Sequence, residues 1–209
     1  HENTRVFRDV AQVGAALQRL DEVVGTTVRP EVALICDWEN RWAIADMAAL
    51  GHDLRKYDQT CIAHYRPFWQ RGVPVDVIDE TCPLDGYRLV IAPMLYMLRP
   101  GVAERIRAFV EQGGTLVMTY WSGIVDENDL CFLGGWPGQG LRDVVGIWDE
   151  EIDALWPQDS NRLVIAGDNE LGVEGEYDIH DLCGMIHAET ASVIGTYAED
   201  FYAGRPALT

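Results

Sequence analysis

Cysteine is scarce in this 209-residue chain: five residues, at positions 36, 61, 82, 131 and 183, odd in number, scattered, and with no C-x-x-C pair. That usage argues against a disulfide framework and a structural zinc site, and it fits a reduced, cytoplasmic setting. Long apolar runs are also missing. No segment approaches the roughly eighteen consecutive apolar residues that a membrane span needs, and the opening His1-Glu2-Asn3-Thr4-Arg5 has no basic-then-apolar leader. Basic residues are few: 16 Lys and Arg stand against 34 Asp and Glu, a formal charge of −18. Such a surface repels phosphate backbones, which excludes nucleic acid as a partner class. Between Asp149 and Asp200 fourteen carboxylates face one arginine, Arg162, and this reads as a solvated face rather than a docking surface. His52 and His64 stand twelve apart without clustered ligands, so no metal is expected. Nor is an organic cofactor: Leu133-Gly134-Gly135-Trp136-Pro137-Gly138-Gln139-Gly140 has no preceding strand and no G-K-[ST], and reads as a turn-rich loop.

What is present is a set of short apolar runs alternating with helical patterns. Val6, Val10, Val13, Leu17, Leu20 and Val24 recur at steps of four and three, predicting an amphipathic helix over 4–24 that ends at Gly25. Strand-like runs lie at 31–36, 73–78, 88–92 and 115–119. Helical patterns fill about 40–71, with Pro67 expected to kink or end the helix, and 101–112, stopped by Gly113-Gly114. The link from 78 to 88 is too short for a crossover helix. Residues 141–170 read as a short helix followed by the strand Leu163-Val164-Ile165, and 182–187 with 192–197 as an antiparallel pair at the sheet edge. Alternating strands and helices predict an α/β fold: a three-layer sandwich around a mostly parallel, doubly wound sheet.

Chemistry-bearing residues crowd one strand end. Asp37-Trp38-Glu39-Asn40-Arg41-Trp42 follows directly on the run Val32-Ala33-Leu34-Ile35-Cys36, and the carboxyl ends of strands are where open α/β sheets meet ligands. Asp37 or Asn40 reads as a helix cap. Of the two tryptophans, Trp42 is expected to pack down, one turn into the helix, and Trp38 to face outward.

This segment resembles the D-x-E-N-x-W signature of the middle, or trimerisation, domain of glycoside hydrolase family 42 β-galactosidases. Further similar blocks follow in order: Asp85-Gly86-Tyr87-Arg88-Leu89-Val90-Ile91-Ala92-Pro93-Met94-Leu95-Tyr96, then Val110 through Tyr120, Ser122-Gly123-Ile124-Val125-Asp126-Glu127, and Tyr197 through Ala207. Five ordered blocks over nearly the whole chain are more specific than any single motif. The resemblance implies a flavodoxin-like or class I glutamine amidotransferase-like fold, with residues 1–27 as a helix leading from an N-terminal barrel and 28–209 as the α/β domain. It implies a non-catalytic role in holding a homotrimer. The parent enzyme would hydrolyse terminal β-D-galactosides without an organic cofactor, its two catalytic glutamates lying in a barrel that this chain lacks. The galactoside would then be met through that barrel, and this domain could wall a neighbouring subunit's active site. Trp38, Glu39, Asn40, Trp42, Tyr120 and Trp121 are the candidates for that interface or wall, and Asp37, Glu39 and Glu127 are poor candidates for catalysis.

Two other readings come from the residues. In the amidotransferase fold a nucleophilic cysteine sits on the turn after a central strand. Here that turn reads Trp121-Ser122-Gly123, leaving Ser122 with His187-Ala188-Glu189 as the one serine-hydrolase constellation. The other is an α/β domain that binds a sugar or small metabolite at the strand ends.

Overall fold

A computed structural model describes residues 1–48 and 55–209. The chain opens with α1 (Arg5–Leu17), capped by the Thr4 hydroxyl, which accepts from the Phe7 amide. The helix stops seven residues short of the expected end, giving way to a single 3-10 turn at Asp21–Val23. Its apolar stripe of Val6, Val10, Val13 and Leu17 is exposed, and no residue of α1 is buried.

The central sheet follows. In chain order its parts are β1 (Val32–Ile35), α2 (Trp38–Asp46), α3 (Tyr57–Gln70), β2 (Val75–Ile78), β3 (Leu89–Ala92), the short β4 (Met97–Leu98), α4 (Val102–Glu111) and β5 (Thr115–Met118). The strands run parallel in the order β2-β1-β3-β5. Every β1 residue is buried, as expected of a central parallel strand covered on both faces. On one face, Ala33, Ile35, Val90 and Ala92 pack against Val102, Ala103, Ile106 and Phe109 of α4. On the other, Leu34 packs with Ala43, Ile44, Tyr57 and Cys61 of α2 and α3. Each such side chain adds about 1.5–3 kcal/mol when fully buried. α4 ends where Gly113 takes a left-handed φ of 92° and Gly114 donates back to the Phe109 carbonyl at 3.0 Å. A Cβ at Gly114 would lie 2.3 Å from the Phe109 ring, so glycine is required there.

The expected helix over about 40–71 is two helices, α2 and α3. Leu54 and His52 lie outside the described residues. Pro67 sits inside α3 without ending it: it falls in the last turn, and the carbonyl it deprives of a donor belongs to Ala63, which is exposed to solvent.

Beyond residue 121 the chain leaves the central sheet. β6 (Val125–Asp126) pairs in parallel with β4 in a separate two-stranded sheet, and α5 (Leu141–Val145) leads into β7 (Ile147–Ala154), from which the ladders are antiparallel. The remaining strands are β8 (Asn161–Ile165), β9 (Gly175–Ile179), β10 (Leu182–Ala188), β11 (Gly195–Tyr197) and β12 (Pro206–Leu208). The segments expected to pair with each other do not: β10 pairs with β7, and β11 lies between β8 and β12 in a separate four-stranded sheet. The sequence reading missed β7 because its acidic residues, Asp149, Glu150, Glu151 and Asp153, hide the strand pattern in an apolar/polar scan.

Candidate functional site

The chain winds from β1 through α2 and α3 to β2 on one side of β1, and β3 then lies on its other side. The carboxyl ends of β1 and β3 therefore flank a topological switch point. Asp37, immediately beyond β1, caps α2: one carboxylate oxygen accepts from the Asn40 amide at 2.8 Å, and the other from the Glu80 amide at 3.3 Å. The Asp37 amide in turn donates to the Tyr57 hydroxyl at 3.1 Å. Asn40 is fully buried and bridges two loops, donating to Asp37 and accepting from the Met97 amide at 2.8 Å.

Arg99 ties the strand ends together. Its Nε meets Glu80 Oε1 at 2.5 Å and its terminal nitrogens reach Asp79 at 2.7 Å, Glu39 at 3.6 Å and Asp37 at 3.8 Å. Asp37, Glu39 and Asp79 bring one oxygen each within 4.8 Å of one another. The guanidinium among them already supplies the positive charge that such a cluster attracts, so it gives no case for a metal ion. Glu80 is 1% exposed and its Oε2 has no hydrogen-bond partner among the described residues. Burial, with Asp37 nearby, pushes its carboxyl up to about 7 despite Arg99. For Asp79 the bonds from Arg99 and Thr81 outweigh desolvation and hold the carboxyl below its usual range. The sequence reading missed Asp79, Glu80 and Arg99. The signal was available: Asp79-Glu80 follows the β2 run as Asp37 follows the β1 run.

Of the six residues expected at the interface, four reach the surface. Trp38 and Trp42 are 58% and 61% exposed, with ring centroids 5.9 Å apart. The Arg41 guanidinium lies 4.7 Å over Trp38 while pairing with Asp58 of α3. Glu39 and Tyr120 are also outward-facing. The expectation that Trp42 packs down is corrected. Positions 38 and 42 are one helical turn apart and share a face, whereas Asn40, Ala43 and Ile44 form the buried side of α2. Asn40 and Trp121 are likewise not surface residues. Trp121 is 5% exposed, held in a left-handed conformation (φ 63°) with its ring edge-on to Tyr96 at 5.9 Å.

The Ser122–His187 constellation is not assembled. The Ser122 hydroxyl donates to the Thr119 carbonyl at 2.9 Å and accepts from the Leu95 amide at 3.1 Å. His187, on β10, meets Glu150 at 2.7 Å and stacks on Trp148 at 4.4 Å. Glu189 instead pairs with Arg142. A serine-directed fluorophosphonate should therefore leave Ser122 unlabelled, and stoichiometric labelling lost in Ser122→Ala would overturn this reading.

Residues 30–209 match the family model described as the beta-galactosidase trimerisation domain. The chain belongs to that family. Its relatives include a beta-galactosidase of Clostridium perfringens, 56% identical over all 209 residues, and one of Alicyclobacillus acidocaldarius, 54% identical over the same span. Among solved structures, the cold-adapted beta-galactosidase of Rahnella sp. R3 superposes with a TM-score of 0.85 over 99% of this chain at 52% identity. In each case the chain spans 30% of the relative's length. The trimerisation-domain match begins at residue 30, beyond α1. Among the described residues no helix is long and apolar enough to cross a membrane.

Proposed function

We propose that this domain holds the subunits of a cytoplasmic β-galactosidase together as a homotrimer, and that its strand-end surface lies against a neighbouring subunit near the galactoside site. The parent enzyme would hydrolyse terminal β-D-galactosides. Catalysis would rest on residues outside this chain, since glycoside hydrolysis needs an acid and a second carboxyl held about 5–9 Å apart over a sugar. The acidic side chains at this switch point are instead tied to Arg99. The stripe of α1 would be covered by the parent's neighbouring domain.

One observation carries the interface reading: two adjacent tryptophans stand exposed on α2, beside Glu39 and the Arg99 cluster. Paired aromatics of this kind are costly in water, and they suit both the hot spots of protein interfaces and the faces of sugars. Replacing Trp38 and Trp42 together by alanine in the intact protein should leave the unfolding midpoint of the domain nearly unchanged. Sedimentation should show the trimer dissociating at higher protein concentration, or KM for a chromogenic β-galactoside should rise. An unchanged trimer with unchanged kinetics would remove these residues from the interface. A large loss of folding stability would assign them to the core.

A further inference from the structure

We propose that the homotrimer closes by a contact between two unlike surfaces of this chain: the outer faces of α2 and α3 on one copy receive the β8–β9 hairpin of the next. The inference rests on the trimer reading above and names the surface that meets Trp38 and Trp42. A surface pairs with itself only about a twofold axis, so a ring of three copies needs two different, complementary patches. The first patch runs across two helices. Arg41 of α2 pairs with Asp58 of α3, so their outer faces adjoin. Asp58, Ile62, Arg66 and Trp69 recur at steps of four, four and three and share one side of α3. Ile62, Arg66 and Trp69 are exposed there and continue the apolar surface begun by Trp38 and Trp42. The charge is unusual for so acidic a chain: from Arg55 to Arg71 four basic residues face one acid, Asp58. Arg66 and Arg71 have no acidic partner among the described residues.

The second patch has the opposite character. β9 is a free edge of the sheet β12-β11-β8-β9, and residues 166–174 join it to β8. From Gly167 to Asp178 there are five acidic residues and no basic one. Of these, Glu176 alone has a cation partner among the described residues, Arg162. Exposed among the acids stand Leu171, Val173 and Tyr177, side chains that a purely solvated acidic face has no reason to carry. The loop is held in shape from within. The Asn169 side-chain amide donates to the Val173 carbonyl at 2.6 Å, and its oxygen accepts from the Leu171 amide at 3.1 Å, so little ordering entropy is lost on docking. One patch is basic and aromatic, the other acidic and largely aliphatic. Charges left unpaired within each copy thus find partners across the contact, and the apolar side chains of both patches leave water together.

The test uses the intact protein. Sedimentation of the unaltered protein comes first: any species other than a trimer would overturn the trimer reading, and this pairing with it. Given a trimer, Arg66→Glu with Arg71→Glu should raise its dissociation constant about tenfold. Glu170→Arg with Glu174→Arg should do the same, and the four changes together should restore the unaltered value. Added salt should weaken the unaltered trimer by screening these contacts. A second readout serves a trimer too tight to dissociate. With Arg66→Cys and Glu170→Cys in one chain, a short bismaleimide should give covalent dimers and trimers on a denaturing gel, beyond the background that exposed Cys131 gives in either single variant. All four positions are exposed, so circular dichroism should show the fold intact. If the unaltered protein is a trimer and the doubly substituted chain yields no more covalent oligomer than the single variants, the pairing is wrong and the trimer reading stands. A charge reversal on one patch that its counterpart does not restore leads to the same conclusion.

Discussion

Replacing Arg99 by methionine should destabilise the domain by about 3–5 kcal/mol at pH 8, the range expected when one partner of a buried ion pair is removed. Methionine keeps much of the apolar stem and removes only the guanidinium, so the loss reports charge rather than packing. Four carboxylates lose their common cation, and one of them, Glu80, is almost fully enclosed. Because Glu80 can escape part of that penalty by taking up a proton, the loss should shrink at pH 5. Chemical unfolding at the two pH values measures both statements. A loss below about 1 kcal/mol at pH 8, the scale of an exposed salt bridge, would show that solvent already screens the cluster.

The legible part of the fold was the part governed by periodicity. The four parallel strands were found within one or two residues of their ends, because continuous apolar runs such as Val32–Ile35 have one natural home, a sheet covered on both faces. The α4 stripe and its Gly113-Gly114 stop were equally readable. The antiparallel half was not. β7 carries four acidic residues in eight and β9 is largely exposed, so neither announces an inner face. Their pairing with β10 and β8 is decided by tertiary contacts that no local window contains.

The site was half legible for a related reason. The sequence marked Asp37 or Asn40 as a cap, of which the structure selects Asp37, and the Trp38–Trp42 pair as unusual, and both features stand where the chain passes the switch point. The error over Trp42 came from judging depth along the helix rather than angle around it. An i, i+4 spacing places both rings on one face whichever way that face points. Trp121 misled in another way. An aromatic beside a strand end reads as surface, but its left-handed backbone turns the ring back onto Tyr96. Arg99 was invisible because its four partners come from two segments distant from it in sequence, 37–39 and 79–80, and only the strand order brings all three to one point.

Acidification from pH 8 to about pH 5 should stabilise this domain, and Glu80→Gln should remove a large part of the gain. Glu80 has a native-state pKa of about 7 against an ordinary 4.5. Below 4.5 the carboxyl is protonated in both states, and its contribution to stability is fully present. As pH rises from 4.5 towards 7 the unfolded chain releases the proton while the native domain retains it, so stability falls, and it levels off above 7. Asp149 acts in the same direction, since burial also raises it to about 7 from 3.8. The opposite slope comes from Asp79 and Glu189, held low by Arg99 and Arg142. Their stabilisation is lost only as pH falls below the ordinary carboxylate range, which places the optimum near pH 5. Glutamine keeps an acceptor for Arg99 and carries no charge to bury. At pH 8 the variant should therefore be more stable than the parent by about 3 kcal/mol, the cost of ionising a carboxyl that burial has pushed from 4.5 up to about 7. At pH 5 the two should nearly coincide, because the parent's Glu80 is then neutral as well. Thermal unfolding across this range decides the matter. If parent and variant lose stability in parallel between pH 5 and pH 8, then Glu80 is ionised throughout in the folded domain, and Arg99 outweighs the burial that surrounds it.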